Sequence, residues 1–111
     1  MAREFIMTPV FDKLWDGIDL DDDDLRGLQS QLIANPYSGD IIRETSGARK
    51  LRYALLNTGK SGSIRVIYMD IAHVRKLYLL LCYPKSKQDD LTPQQKKHIR
   101  NAVEALKGAN R

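Results

Sequence analysis

The amino-acid sequence predicts one small α+β domain: an N-terminal strand and a helical hairpin packed on an antiparallel sheet, with a helix at the C-terminal end. Three observations carry this. Apolar residues recur at helical spacing between residues 10 and 33. From residue 49 they alternate or run continuously, as strands require. A marked helix start then stands at Thr92-Pro93-Gln94-Gln95. At 111 residues the chain holds one modest core and not two.

"EFIMT" is short and apolar and reads as the first strand. Thr8-Pro9 is an N-cap followed by proline at the first helical position. Val10, Phe11, Leu14 and Trp15 follow at helical spacing, and Gly17 stops the helix. In "DLDDDDLRGLQSQLIANP", Leu25, Leu28, Leu32 and Ile33 share a helical face and Asn35-Pro36 ends it. Aspartates 21–24 are read as capping, because negative charge favours a helix N-terminus.

"ARKLRYALL" then puts Lys50, Arg52 and Ala54 on one side of a strand and Leu51, Tyr53 and Leu55 on the other. "NTGKSGS" is a turn-rich connector. It looks like a phosphate loop, but that motif needs glycine where Ala54 stands and a helix afterwards. "IRVIYMDI" is the next strand, "AHVRK" a connection, and "LYLLLCY", apolar on both sides, a central strand. Together these make an antiparallel meander. In the last helix Ile99, Ala102, Val103 and Leu106 form the apolar stripe, Gly108 closes it, and Asp89 and Asp90 lie close enough to serve its positive end.

Composition narrows the function classes. No apolar run approaches the roughly 20 residues of a membrane span, and the acidic Glu4 and short apolar stretch do not suit a signal peptide. The single cysteine, Cys82, fits a reducing cytoplasm and a place in the core. Residues 1–44 hold ten acids and four bases, a net −6; residues 45–111 hold four acids and fourteen bases, a net +10. That polarity predicts a face that seeks a polyanion.

Between Arg49 and Lys87 stand nine Lys or Arg and one acid, Asp70. Lys50 and Arg52 share a strand face, Arg65 opens the neighbouring strand, and Tyr83, Lys85 and Lys87 emerge where the third strand ends. Arginine forks match phosphate oxygens and lysines supply point charge, so the surface suits an RNA backbone, with Arg49, Lys60, Arg75, Lys76 and Lys87 as further contacts. Tyr53, Tyr68, Tyr78 and Tyr83 offer stacking surfaces, although tyrosine in a strand is more commonly core with a wet tip. His73 and His98 have nothing to pair them, and no zinc or magnesium ligand set stands out. Cleavage would therefore rest on Arg and Lys electrostatics, with Tyr or Lys moving protons.

"NPYSGDIIRETSGARKLRYAL", "SIRVIYMD" and "LYLLLCYPKSKQDDLTPQQKK" resemble the RelE/HigB family of type II toxin–antitoxin toxins over residues 35–106. The resemblance implies two N-terminal helices against a curved antiparallel sheet. It further implies an endoribonuclease that cuts translated mRNA in the ribosomal A site by 2′-OH attack, without metal or cofactor. On that reading Arg65 stabilises the phosphate, and Lys50 and Arg52 contact it or remove a proton. Tyr83 orients or stacks a base, and Lys85 protonates the leaving 5′-oxygen or holds the phosphate. A cognate antitoxin, often one with a DNA-binding helix-turn-helix, is implied as partner; the free toxin is expected to be a cytoplasmic monomer. The chain departs from the family in lacking the active-site histidine of some members and a tyrosine on the last helix. Two other classes share the basic face: a non-catalytic RNA- or ribosome-binding module, and a domain that binds an acidic protein.

Overall fold

The computed structural model describes residues 3–54 and 62–111. In chain order the elements are β1 (Glu4–Met7), α1 (Pro9–Gly17), α2 (Asp22–Ala34), β2 (Asp40–Ile41), β3 (Arg49–Ala54), β4 (Ser63–Ile71), a 3-10 turn (Ala72–Val74), β5 (Lys76–Pro84) and α3 (Pro93–Ala109). One five-stranded sheet runs β1-β5-β4-β3-β2. The predicted meander is β3-β4-β5, with antiparallel pairs throughout. The N-terminal strand, whose partner the sequence left open, joins this meander as a parallel edge: β1 pairs with β5, with Glu4 opposite Lys76 and Met7 opposite Leu79. The start of α1 fixes that arrangement: the Thr8 amide donates to Leu79 O at 3.1 Å and its hydroxyl to Leu80 O at 3.2 Å. The two-residue β2 was not anticipated. Most of the expected connector "NTGKSGS", with Leu55 and Lys60, lies outside the described residues.

The helix signals act as their chemistry dictates. Thr8 Oγ1 accepts from the Phe11 amide at 3.2 Å, and Pro9 opens α1. Asp21 and Asp24 form a reciprocal capping box at α2 (2.8 and 3.1 Å), as Thr92 and Gln95 do at α3 (3.1 and 3.0 Å). Two details differ from expectation. Gly108 lies inside α3, which ends instead at Asn110, whose side-chain amide donates to the buried Tyr78 hydroxyl at 2.9 Å. Ile33 is 44% exposed, because α2 buries a narrower stripe, Leu28 and Leu32, and Ile33 lies one helical step beyond it.

The sheet is covered on both faces. Phe11, Trp15, Leu28 and Leu32 from the helical pair pack with Leu51, Tyr53, Ile64, Val66, Tyr68, Leu77, Leu79 and Cys82. Ile99 and Val103 of α3 pack with Ile67, Ile71, Tyr78, Leu80, Leu81 and Tyr83 on the other side. Strict alternation along β5 would put Leu81 and Tyr83 on the same side as Leu77 and Leu79. A bulge prevents this: Tyr68 pairs with Leu79 and Ile67 with Leu81, so Leu80 is an extra residue. Every side chain after it changes face, and Tyr83 joins Arg65 on the α3 side.

Cys82 is 1% exposed, and burial pushes its thiol up to about 12. At pH 8 only about one part in ten thousand would be thiolate. Native protein is expected to resist alkylation by iodoacetamide, and denatured protein to react fully; rapid native labelling would mean that this face of the sheet opens. No described helix is long and apolar enough to cross a membrane.

Candidate active site

Three of the singled-out residues form one row across the sheet. Arg52 of β3 is opposite Arg65 of β4, and Arg65 is opposite Tyr83 of β5. Two guanidinium groups facing each other across a strand pair repel, and a fold has no stability reason to set them there. Such a pair suits a site for an anion. Arg65 is steadied from its own strand, donating from Nη1 to Ser63 Oγ at 3.1 Å. Ser63 lies two residues earlier and therefore on the same face.

Lys50 lies one strand period before Arg52, on the same face. Its Nζ is 3.3 Å from Asp90 Oδ1, in the segment leading into α3. That carboxylate also accepts from the Leu91 amide at 2.8 Å. The Leu91 N–H, and after it Lys50, hold the Asp90 carboxyl below the usual range. Beyond β5 the Lys85 amide donates to Ser63 O at 3.1 Å, and the Lys87 amide to Pro84 O at 3.1 Å closes the turn that carries Lys85.

These residues surround a cleft of about 690 Å³ whose lining includes Gln31, Asp40, Lys50, Arg52, Arg65 and Lys85. It opens because β2 pairs only with Arg49 and Lys50, which leaves the rest of that edge of β3 unpaired among the described residues. Meanwhile α3 covers the rows at Ile67 and Leu81 and leaves Arg52 exposed.

Tyr83 is placed differently from the expectation. It is 6% exposed and packed in the α3-side core, so its ring has no open face on which a base could stack. Its hydroxyl is buried without a hydrogen-bond partner among the described residues. Burial chiefly raises the phenol's pKa, Asp90 adds to this, and Arg65 opposes it. Tyr83 thus backs the cationic row from inside. Tyr53, Tyr68 and Tyr78 are buried as well, and Tyr68 is fully used, donating to Pro36 O at 2.7 Å and accepting from the Gly39 amide at 3.0 Å.

Other expected contacts lie elsewhere. Arg49 points to the helical-pair side, where it donates to Gly39 O at 2.7 Å and its guanidinium stands 5.1 Å from the Tyr37 ring centroid. Arg75, in the left-handed region with φ 57°, and Lys76 occupy the far end of β5, seven residues from Tyr83, or roughly 23 Å of strand. Lys87 is exposed on the turn beside the cleft, and Lys60 lies outside the described residues. His73 bonds Asn110 O, while His98 is exposed on α3. Sequence reasoning missed Ser63 and undervalued Asp90. Two-residue spacing from Arg65 could have flagged Ser63; Asp90 needed the path of the loop.

No protein-family model matches the chain. Among solved structures it is similar to a double arginine-to-alanine mutant of the E. coli toxin RelE in the free state. The two share 14% identity, with a TM-score of 0.56 over 80% of this chain and 90% of that one. The chain has a RelE-like fold. In this RelE-like frame the cleft lies at the open end of the α3-side face, where the outermost turn of β5 and the first residues of β4 meet.

Proposed function

We propose that this protein is the toxin of a type II toxin–antitoxin system, an mRNA endoribonuclease of the RelE/HigB kind. One observation carries the reading: on a RelE-like fold, Arg52, Arg65, Lys50 and Lys85 converge on one cleft, and two of them face each other against their own repulsion. Arg65 and Arg52 take the non-bridging oxygens of the scissile phosphate and offset the charge that grows as it becomes five-coordinate. Lys50, once it has left Asp90 and given its own proton to water, takes the proton of the ribose 2′-hydroxyl as a neutral amine. That oxygen attacks phosphorus, the P–O5′ bond breaks, and Lys85 returns a proton to the departing 5′-oxygen. The products are a 2′,3′-cyclic phosphate and a 5′-hydroxyl end. Tyr83 positions Arg65. The substrate is mRNA in the ribosomal A site, the compartment is the cytoplasm, and a cognate antitoxin neutralises the cationic cleft.

Expression in growing bacteria, with mRNA 5′ ends mapped before and after induction, tests this. Growth arrest accompanied by new 5′-hydroxyl ends is expected. Soluble, abundant protein that leaves growth and mRNA intact would sink the ribonuclease reading and favour a binding module.

A further inference from the structure

A second cavity adjoins the cationic cleft, of about 560 Å³, within the range of ligand-holding pockets. Its apolar wall is Ile18 and Leu20 from the α1–α2 connection, Ile64 from β4 and Pro84 from the end of β5, with Asp19 also on the lining. Arg52 and Lys85 line both spaces, so the two are continuous through the cations that the proposed function assigns to phosphate. Ile18 and Leu20 are half-buried and pack against the helical-pair core, while Asp19 between them has φ 62° and is exposed. The floor is tied down, since Ser63 accepts the Lys85 amide through its carbonyl and Arg65 through its hydroxyl. Ser63 and Ser86 put hydroxyl-bearing residues at the margin.

A pocket with apolar walls, a polar margin and two phosphate-binding cations at its mouth has the chemistry of one nucleotide unit. Inorganic phosphate has no use for the walls, and a purely aliphatic group has none for the cations. A nucleobase has apolar faces and polar edges, and it hangs from the sugar next to the phosphate. We propose that this pocket receives a nucleobase flanking the scissile phosphate, and that Ile18, Leu20, Ile64 and Pro84 set the base preference at that position. The proposal rests on the ribonuclease reading.

The test is the map of mRNA ends produced in cells by wild type, Leu20→Ser and Leu20→Trp. Leu20→Ser strips a wall and Leu20→Trp plugs the space while keeping an apolar contact with the core, so one survives a folding defect in the other. Burying about 55 Å² of a base's apolar face, at roughly 25 cal/mol per Å², is worth about tenfold in affinity. Wild type is expected to show a bias of about that size for particular bases at one position adjoining the cut, and both variants to cut with the bias flattened. Cutting by wild type with no bias at either adjoining position overturns the pocket, as does an unchanged bias in a folded Leu20→Trp. In both cases the ribonuclease reading stands. Absence of any cutting by wild type removes that reading and the pocket with it.

Discussion

Replacing Arg65 by alanine is expected to lower mRNA cleavage about a hundred- to a thousandfold while leaving the fold intact or slightly firmer. Both halves come from the same geometry. Arg65 is opposite Arg52 in the β3–β4 register and half-buried, so it is the guanidinium least able to be replaced by a neighbour. Removing one of two facing cations relieves repulsion worth some tenths of a kcal/mol, and the lost bond to Ser63 Oγ roughly offsets that relief. Activity and stability are therefore expected to move in opposite directions or independently, the mark of a residue kept for function. Counting new 5′ ends per unit time, beside a urea melt of the purified variant, reads the two quantities. Cleavage retained within tenfold would remove Arg65 from the phosphate site. A stability loss above about 2 kcal/mol would recast it as a structural residue.

Replacing Arg3 by alanine is expected to cost about 3 kcal/mol of folding stability, the largest loss for any single change away from the apolar core. Arg3 reaches over β5 to Asp70 of β4 with both prongs of its guanidinium, Nε to Oδ1 at 2.8 Å and Nη2 to Oδ2 at 3.3 Å. The side chains are 9% and 3% exposed. The hydrogen bond to Asp70, above all, raises the Arg3 pKa. Truncating Arg3 strands the Asp70 carboxylate among Phe5, Leu77 and their neighbours without a partner. For a domain of this size the loss corresponds to a fall in Tm of more than about 10 °C. The double variant Arg3→Met with Asp70→Leu is expected to regain most of it, because an apolar pair needs no compensation for lost hydration. A melting curve for Arg3→Ala within about 2 °C of wild type would show that the pair is loosely solvated and does not hold β1.

Much of this architecture was legible because it is local. Thr92-Pro93-Gln94-Gln95 writes a capping box and a proline start in four residues, and the structure has both. Lys50 and Arg52 fall on one face because strand period needs only two residues to declare itself. What was illegible is non-local. Nothing in "EFIM" states that it will lie parallel to a strand 72 residues later, since Glu4 meets Lys76. Nothing in "LYLLLCY" marks Leu80 as the extra residue, because every side chain in the run is apolar on either face. That bulge brings Tyr83 to Arg65's face, and the expectation of a stacking ring failed because the α3-side core buries the ring there. Asp90 was read as charge for a helix end, whereas its carboxylate accepts from the Leu91 amide, ahead of the Thr92 cap. Its pairing with Lys50, forty residues away, is written only in three dimensions.

The parallel pairing of the first strand has a kinetic side. Joining residues 4 and 76 closes a loop of about 70 residues, at an entropic cost of about 4 kcal/mol before any contact is made. Four residues of ladder and one ion pair repay that only when the partner strand is already in place. During synthesis, β1 and α1 therefore emerge with no sheet to join, and they wait until β5 has left the ribosome. Assembly is expected to begin from the β3-β4-β5 meander, whose contacts are closer in sequence, and to finish with β1 as a late, high-contact-order step. The cationic row across β3, β4 and β5 would then form early, and the N-terminal strand would be the last part to commit.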